Sequence, residues 1–201
     1  MPDFSALLNH LAPHLSLTEA EQALLVSVLR LKKVRRKQFV EQPGYVSTHR
    51  SYVVTGALRA FCMGTGGQEQ TISLAIDDGW IGDPGSFLLQ EPASLFVEAL
   101  EDSTLIQWSY ESEQVLLENI PAFGRVMLQK AQLIAVLMQR RVIASFTLSA
   151  EQRYEEFARA YPSLVQRMPL YVIASYLGMT REFLSKIRNQ KVVAKTGFSS
   201  K

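Results

Sequence analysis

The chain has 201 residues, 47% of them hydrophobic, and a formal net charge of +2, which fits a globular protein with one good core and a small second one. A single cysteine, Cys62, excludes an internal disulfide and a four-cysteine iron–sulfur cluster. No apolar run approaches the roughly 18 residues of a membrane span, and residues 1–14 lack a charged lead followed by an apolar segment. We therefore expect a cytoplasmic protein without a membrane partner.

Hydrophobic periodicity predicts helices first and short strands after them. Between residues 3 and 30, leucines recur at helical spacing. From residue 31 to about residue 109, turns rich in glycine and proline separate short apolar runs. The predicted strands are Val34–Val40, Ser51–Thr55, Ala57–Met63, Gln68–Ala75, Leu95–Leu100 and Thr104–Ser109. Short, evenly spaced strands of this kind indicate a double-sheet barrel or jelly roll.

One long helix is predicted from about Pro121 to Thr147, because this segment contains neither proline nor glycine after Gly124. At about 1.5 Å per residue it would be near 40 Å long, which is more than one small barrel needs. Its apolar stripe favours pairing with a second copy, and a helix packed wholly on its own barrel is the alternative. The residues predicted to form the dimer contact are Phe123, Met127, Ile134, Leu137 and Met138.

Residues 168–191 are the most informative stretch, because they have the pattern of a helix-turn-helix. Gly178 supplies the positive backbone angle of a tight turn, and Thr180 is the predicted N-cap of the second helix. Phe183, Leu184 and Ile187 share one face of that helix, and the opposite face is suited to base edges and phosphates. The predicted DNA-binding residues are Thr180, Arg181, Glu182, Ser185, Lys186, Arg188 and Asn189. An ordinary helical hairpin with a solvated charged face is the alternative.

Charge is distributed unevenly along the chain. From Leu164 onward, seven Lys and Arg residues, Arg167 among them, stand against Glu182 alone. The C-terminal segment therefore carries +6, and residues 1–163 carry −4. A basic end of the molecule is the electrostatic footprint expected of a nucleic-acid-binding protein.

The order of elements and five motifs resemble the cyclic-AMP receptor/fumarate-nitrate regulator (Crp/Fnr) superfamily of bacterial transcription factors. The motifs are VVTGALRAF (53–61), GQEQTISLA (67–75), WIGD (80–83), EALEDS (98–103) and GMTREFLSKIR (178–188). The resemblance implies an α+β chain: a cyclic-nucleotide-binding-type β jelly roll with N-terminal helices (1–120), a long dimerisation helix (121–148) and a helix-turn-helix domain (149–201). It also implies a homodimeric, non-enzymatic regulator that binds an inverted-repeat operator in double-stranded DNA. RNA polymerase and an unidentified small-molecule effector are further candidate partners.

Two residues carry the family's base-reading pattern. Arg181 and Glu182 match its Arg-Glu pair at the start of the recognition helix, and Lys186 matches a basic residue one turn later. Arg181 can donate two hydrogen bonds to guanine, and Glu182 can accept one from the cytosine amino group. Thr180 and Ser185 are suited to phosphate oxygens.

The ligand-binding cassette departs from the family pattern. Cyclic-nucleotide binders have Gly-Glu entering a short helix and, about ten residues later, Arg-Ser/Thr-Ala, whose arginine holds the cyclic phosphate. Here Gly82 is kept, Asp83 replaces the glutamate, the helix-hostile pair Pro84-Gly85 follows, and Ala93 stands at the arginine position. We therefore expect no certain cofactor and no cyclic AMP binding. The candidate pocket residues are Arg59, Trp80, Gly82, Asp83, Phe87, Ser94 and Phe96; a solvent-facing position is favoured for Arg59, and core packing for the three aromatic residues.

Two further functions stay open at this point. A metal-dependent jelly-roll enzyme of the cupin type needs clustered histidine and carboxylate ligands, and His10, His14 and His49 all lie outside the central predicted strands, so no metal is expected. The other is a ligand- or protein-binding module whose helix-turn-helix no longer binds DNA. Family members also carry a β-hairpin wing after the recognition helix; here residues 191–194 allow one strand, and a full hairpin is hard to fit.

Overall fold

The computed structural model describes residues 3–196, with side chains described for residues 3–190. Two helices begin the chain, α1 (Ser5–Leu11) and α2 (Glu19–Val28). A capping box starts α2: the Thr18 hydroxyl accepts from the Glu21 backbone N–H, and the Glu21 carboxylate accepts from the Thr18 backbone N–H. Both helices bury leucines against the first β-sheet.

Between residues 3 and 196, eight strands form the double-sheet barrel that the turn pattern predicts. They are β1 (Arg30–Val34), β2 (Phe39–Glu41), β3 (His49–Thr55), β4 (Ala57–Met63), β5 (Glu69–Ile76), β6 (Trp80–Ile81), β7 (Phe96–Ala99) and β8 (Ser103–Ser109). Sheet A has the order β1-β8-β3-β6 and sheet B the order β2-β7-β4-β5, and all the pairings are antiparallel. The α+β class and the jelly roll are thus confirmed.

One predicted strand is wrong, because the chain passes from one sheet of the barrel to the other within it. The run Val34–Val40 does not form a single strand, because the chain turns at Lys37, where φ is +70°. Its first part ends in sheet A and its last part begins in sheet B. Apolar side chains of both sheets fill the interior: Val34, Val53, Leu58, Ala60, Ala75, Ile81, Val97, Ala99 and Leu105.

Three helices follow or interrupt the barrel: α3 (Pro84–Leu89), α4 (Tyr110–Asn119) and α5 (Pro121–Thr147). The prediction that Pro84 opposes a helix is wrong. Pro84 occupies the first helical turn of α3, where a missing N–H costs no hydrogen bond, and Asp83 is the N-cap. The long helix is confirmed with the bounds that the sequence predicts.

The last four helices, which we call the head, are α6 (Ala150–Ala160), α7 (Pro162–Arg167), α8 (Leu170–Tyr176) and α9 (Arg181–Thr196). Residues 181–196 contain no glycine or proline, and α9 continues through residues 191–194. The single strand that the sequence allows at 191–194 is therefore not formed. The apolar core of the head continues into the barrel through Ala57 and Leu100. Within residues 3–196, no helix is long and apolar enough to cross a membrane.

Candidate nucleic-acid interface and effector site

The turn between α8 and α9 has the geometry that a helix-turn-helix requires. Gly178 has a φ of +68°, in the left-handed region that favours glycine, and a Cβ there would meet no atom within 4 Å. Backbone angle, not space, therefore selects glycine at this position. The Thr180 hydroxyl accepts from the Phe183 backbone N–H at 3.2 Å and caps α9.

One face of α9 is fixed against α8. Leu184 and Ile187 are buried in the same cluster as Val172 and Ile173 of α8. Phe183, which the sequence places on this buried face, is 41% exposed, because it lies at the margin of the helix contact. The inner face of α9 is therefore narrower than predicted.

The outer face of α9 is open to solvent. The exposed side chains are those of Arg181, Glu182, Lys186, Arg188 and Asn189, and Ser185 is half-buried beside them. Thr180 is exposed, and while its oxygen accepts the capping hydrogen bond, its O–H group can still donate to a phosphate. The seven predicted DNA-binding residues thus lie at one surface of the head.

The basic footprint is smaller than the charge count predicts. Arg167 points to the barrel, where it bonds the carboxylates of Asp77 and Glu101, each at 2.7 Å. These two ion pairs hold the pKa of Arg167 above its ordinary value and remove one positive charge from the C-terminal surface. The side chains of Lys191, Lys195 and Lys201 lie outside the described residues.

Most of the long helix α5 has no apolar surface to cover it within the described chain. All ten residues from 131 to 140 are exposed, including Ile134, Leu137 and Met138 of the predicted dimer contact. The first turns differ: Phe123 is fully buried in the core beneath α1 and α2, and Met127 packs against that core. Placing Phe123 in a dimer contact is therefore wrong, because its own chain already covers it.

The cassette between β6 and β7 is filled by one of its own side chains. The Asp83 carboxylate accepts from Ser94 N–H (2.9 Å), Ser94 O–H (3.1 Å), Leu95 N–H (3.1 Å) and Ser86 N–H (3.2 Å). Burial raises the cost of the charge, yet the four hydrogen bonds outweigh it and hold the pKa of Asp83 below its ordinary value. Asp83 thus uses four donors of the cassette itself, and Ala93 offers no cation. These residues do not fit a cyclic nucleotide.

The other predicted pocket residues do not line a common cavity. Trp80 packs with the rings of Tyr52 and Trp108 in the cluster beneath the N-terminal helices. Phe87 is buried beside Tyr110. The Phe96 ring stacks on the ring of Phe61 in β4, with 5.1 Å between the two ring centroids. Core packing, the alternative that the sequence favours for these rings, agrees with these contacts.

Arg59 does not face solvent as expected. Only 3% of the residue is exposed, and its guanidinium pairs with Glu69 at 2.6 Å and with Glu98 at 2.7 Å. The ring of Tyr171 in α8 lies 5.3 Å away, so the head covers this part of β4. The carboxylates of Glu69 and Glu98 compensate the buried charge. The sequence of β4 alone could not reveal this, because both carboxylates lie on other strands.

A cavity of about 380 Å³ lies beside the cassette, and sequence reasoning missed it. Its wall includes Lys32, Glu41, His49 and Gln107, with Tyr45 at the same cavity. Glu41 joins it to the cassette, because its carboxylate accepts from the Asp83 backbone N–H at 2.8 Å. Burial raises the pKa of Glu41, and burial together with Lys32 lowers the pKa of His49. The sequence carries no periodic signal for it, because the lining residue of β1, Lys32, is exposed and the others come from separate strands and loops.

Within the described residues, no group of three or more His, Cys, Asp and Glu side chains could hold a metal ion. The Nε2 atom of His10 lies 2.9 Å from Lys130 Nζ of α5. Its ring lies 5.2 Å from that of Tyr52. His10 therefore makes structural contacts.

Solved structures of transcription regulators have the same fold as this chain. The c-di-GMP-responsive global regulator CLP of Xanthomonas campestris is 16% identical, with a TM-score of 0.66 over 89% of this chain and 93% of its own. FixK2 of Bradyrhizobium japonicum is 17% identical, with a TM-score of 0.69 over 84% and 86% of the two chains. The Thermus thermophilus catabolite activator protein is 22% identical, with a TM-score of 0.55 over 90% and 86%. No protein-family model and no curated sequence matches the chain. The barrel, long helix and helix-turn-helix head thus follow the architecture of these regulators.

Proposed function

We propose that this protein is a sequence-specific, DNA-binding transcription regulator of the Crp/Fnr type that acts as a cytoplasmic homodimer on an inverted-repeat operator. The observation that carries the proposal is the outer face of α9, where base-reading and phosphate-binding side chains stand exposed on a helix whose other face is locked to α8. A recognition helix needs this combination of rigid support and open polar surface.

The roles of the exposed residues follow from their hydrogen-bonding groups. Arg181 can donate two parallel bonds to guanine, and Glu182 can accept from cytosine. Lys186, Arg188 and Asn189 lie farther along the helix, where phosphates and flanking bases come within reach. The first-turn position of Arg181 matters most, because residues near the start of a recognition helix meet the base edges.

The long helix supports a dimer formed with a second copy. Within the part of α5 that no other described segment covers, the strongly exposed apolar side chains are Leu133, Ile134, Val136, Leu137, Met138, Val142, Ile143 and Phe146. An apolar stripe of this length on a protruding helix requires a partner, and a matching helix supplies one. Two heads then present two recognition helices, with half-sites about 34–36 Å apart.

The test is selection of binding sites from random duplex DNA by the full-length protein. The control is the double variant Arg181→Ala/Glu182→Ala, which removes base-reading groups from exposed positions and leaves the buried face intact. We expect an inverted repeat with the wild type and its loss with the control. Recovery of no enriched sequence by the wild type, at low salt and at physiological salt, would reject the proposal and favour a head that binds protein.

We further infer that the barrel does not respond to cyclic AMP. Asp83 occupies the donors of the cassette, and position 93 lacks the arginine that a cyclic phosphate needs. Titration calorimetry with cyclic AMP should give no binding up to about 1 mM, a weak limit for any specific site. Saturable binding at micromolar concentration would contradict this inference.

A further inference from the structure

At the outer edge of β5, one hydroxyl group of the head takes part in two backbone hydrogen bonds. Because β5 ends the order of sheet B, its outer backbone groups have no strand partner. The Thr71 backbone N–H donates to Ser175 Oγ at 2.8 Å, and the Ser175 hydroxyl donates to the Glu69 carbonyl oxygen, also at 2.8 Å. Since Ser175 belongs to α8, the first helix of the helix-turn-helix is hydrogen-bonded directly to the barrel.

The same strand edge binds the long helix through Arg141. The Arg141 guanidinium donates to the carbonyl oxygens of Ile72 and Thr71. It also lies over the ring of Tyr176, with its central carbon 4.4 Å from the ring centroid. One side chain of α5 therefore contacts both the barrel and α8, the helix that supports the recognition helix.

A β-bulge explains why the Ile72 carbonyl group is available. In the pairing of β4 with β5, Ala60 pairs with Ser73 and Phe61 pairs with Thr71, which leaves Ile72 without a partner residue. Bulges twist a strand and turn backbone groups away from the ladder. The Ile72 carbonyl, freed in this way, is one of the two that Arg141 binds.

The head is also held at the other end of β5. Asp77 directly follows this strand, and Arg167 at the end of α7 binds it and Glu101. Between the two ends, Leu74 and Ile76 of β5 pack against the apolar core of the head. The head therefore contacts the strand along its length, and its angle to the long helix is defined by these contacts.

We propose that Arg141 and Ser175 are positioning residues that set the spacing between the two half-sites of the operator. The inference rests on the proposed function, because it assumes a dimer that reads two half-sites. Neither residue lies on the exposed face of α9, so each acts through the angle of the head. Half-site separation changes in steps of about 3.4 Å per base pair, so a tilt of the head that moves the recognition helix by about one such step changes the preferred spacing.

The test measures binding of the full-length protein to paired copies of its selected half-site, separated by spacers that differ by one base pair. The wild type should prefer one spacing by at least about tenfold over its neighbours. Ser175→Ala and Arg141→Met should reduce that preference to about threefold or less, with single half-site affinity within about twofold of the wild type. Ser175→Thr, which keeps the hydroxyl, should restore the preference. Arg140→Met is the matched control, an exposed arginine on the same helix.

Unchanged spacing preference in both variants would overturn the proposal. So would an equal loss on half-site and full operator, because that result indicates a damaged head and not a changed angle. Melting temperatures within about 3 °C of the wild type establish that the variants are folded.

A second measurement needs no DNA and separates this inference from the proposed function. In the free protein, the Thr71 amide should exchange slowly with deuterium, and exchange in Ser175→Ala should be at least about fivefold faster, as for the loss of one hydrogen bond. If the wild type selects no operator, the proposed function fails, while this exchange result still decides whether the head sits on β5. Fast Thr71 exchange in the wild type would refute the hydrogen-bonded contact between the head and β5.

Discussion

Replacing Asp83 with alanine tests whether the cassette is held together by its own carboxylate. The change removes one acceptor group and leaves four donors without it, those of buried Ser86, half-buried Leu95 and exposed Ser94. Hydrogen bonds to a charged group contribute about 1.5–3 kcal/mol each, but the cost of burying the carboxylate offsets much of their sum. Since loss of an N-cap alone costs about 0.5–2 kcal/mol, we expect a total loss of about 2–4 kcal/mol.

Urea denaturation followed by circular dichroism measures this loss. With a slope of about 2 kcal/mol per M, the midpoint of Asp83→Ala should fall by about 1–2 M. Asp102→Ala is the matched control, because Asp102 is an exposed carboxylate with one such bond, from the Arg36 backbone N–H at 2.7 Å. It should shift the midpoint by less than about 0.5 M. A shift of that small size for Asp83→Ala would refute the reasoning.

The pH dependence provides an internal check on the same prediction. The folded-state pKa of Asp83 is lowered, so its stabilisation is fully present above the unfolded value of about 3.9 and is lost as the pH falls through the folded pKa. The difference between wild type and Asp83→Ala should therefore persist down to about pH 4 and shrink only below it. A difference that disappears between pH 7 and pH 5 would mean that some other group carries it.

Three other outcomes are expected. Leu137→Asp should halve the sedimenting mass, because it places a charge in the uncovered stripe of α5, whereas Leu89→Asp, at a 67% exposed leucine of α3, should not. Burial and Lys130 lower the pKa of His10, so stability should be full above about pH 6.5 and fall as the pH drops through the folded pKa. His10→Gln should reduce that fall in urea midpoints, and an unchanged profile would exclude His10. Arg181→Ala should weaken binding to the selected operator by about 1–3 kcal/mol and relax one base preference in competition assays. Equal losses on operator and random DNA would count against base reading.

Features that depend on local sequence could be predicted. The turn at Gly178, the cap at Thr180 and the long helix follow from residue types a few positions apart, and each appears in the structure where expected. The two-residue strand β6 is too short for any periodicity. Helix α4, which is not among the predicted elements, has local start signals: a Ser109 cap and acidic residues in its first turn.

What the sequence could not show is which polar residues face another part of the chain. The sequence favours a solvated position for Arg59 and counts Arg167 in the basic footprint. Both are neutralised by carboxylates that lie 10 to 90 positions away in the chain. The sequence does not single out Ser175, although its hydroxyl connects α8 to β5. A charge count treats every arginine as available to DNA, whereas the fold divides them: Arg181 and Arg188 face outward, and Arg167 holds the head on the barrel. Composition therefore does not identify the residues that we propose position the recognition helices. Variants of the full-length chain are most informative at these residues.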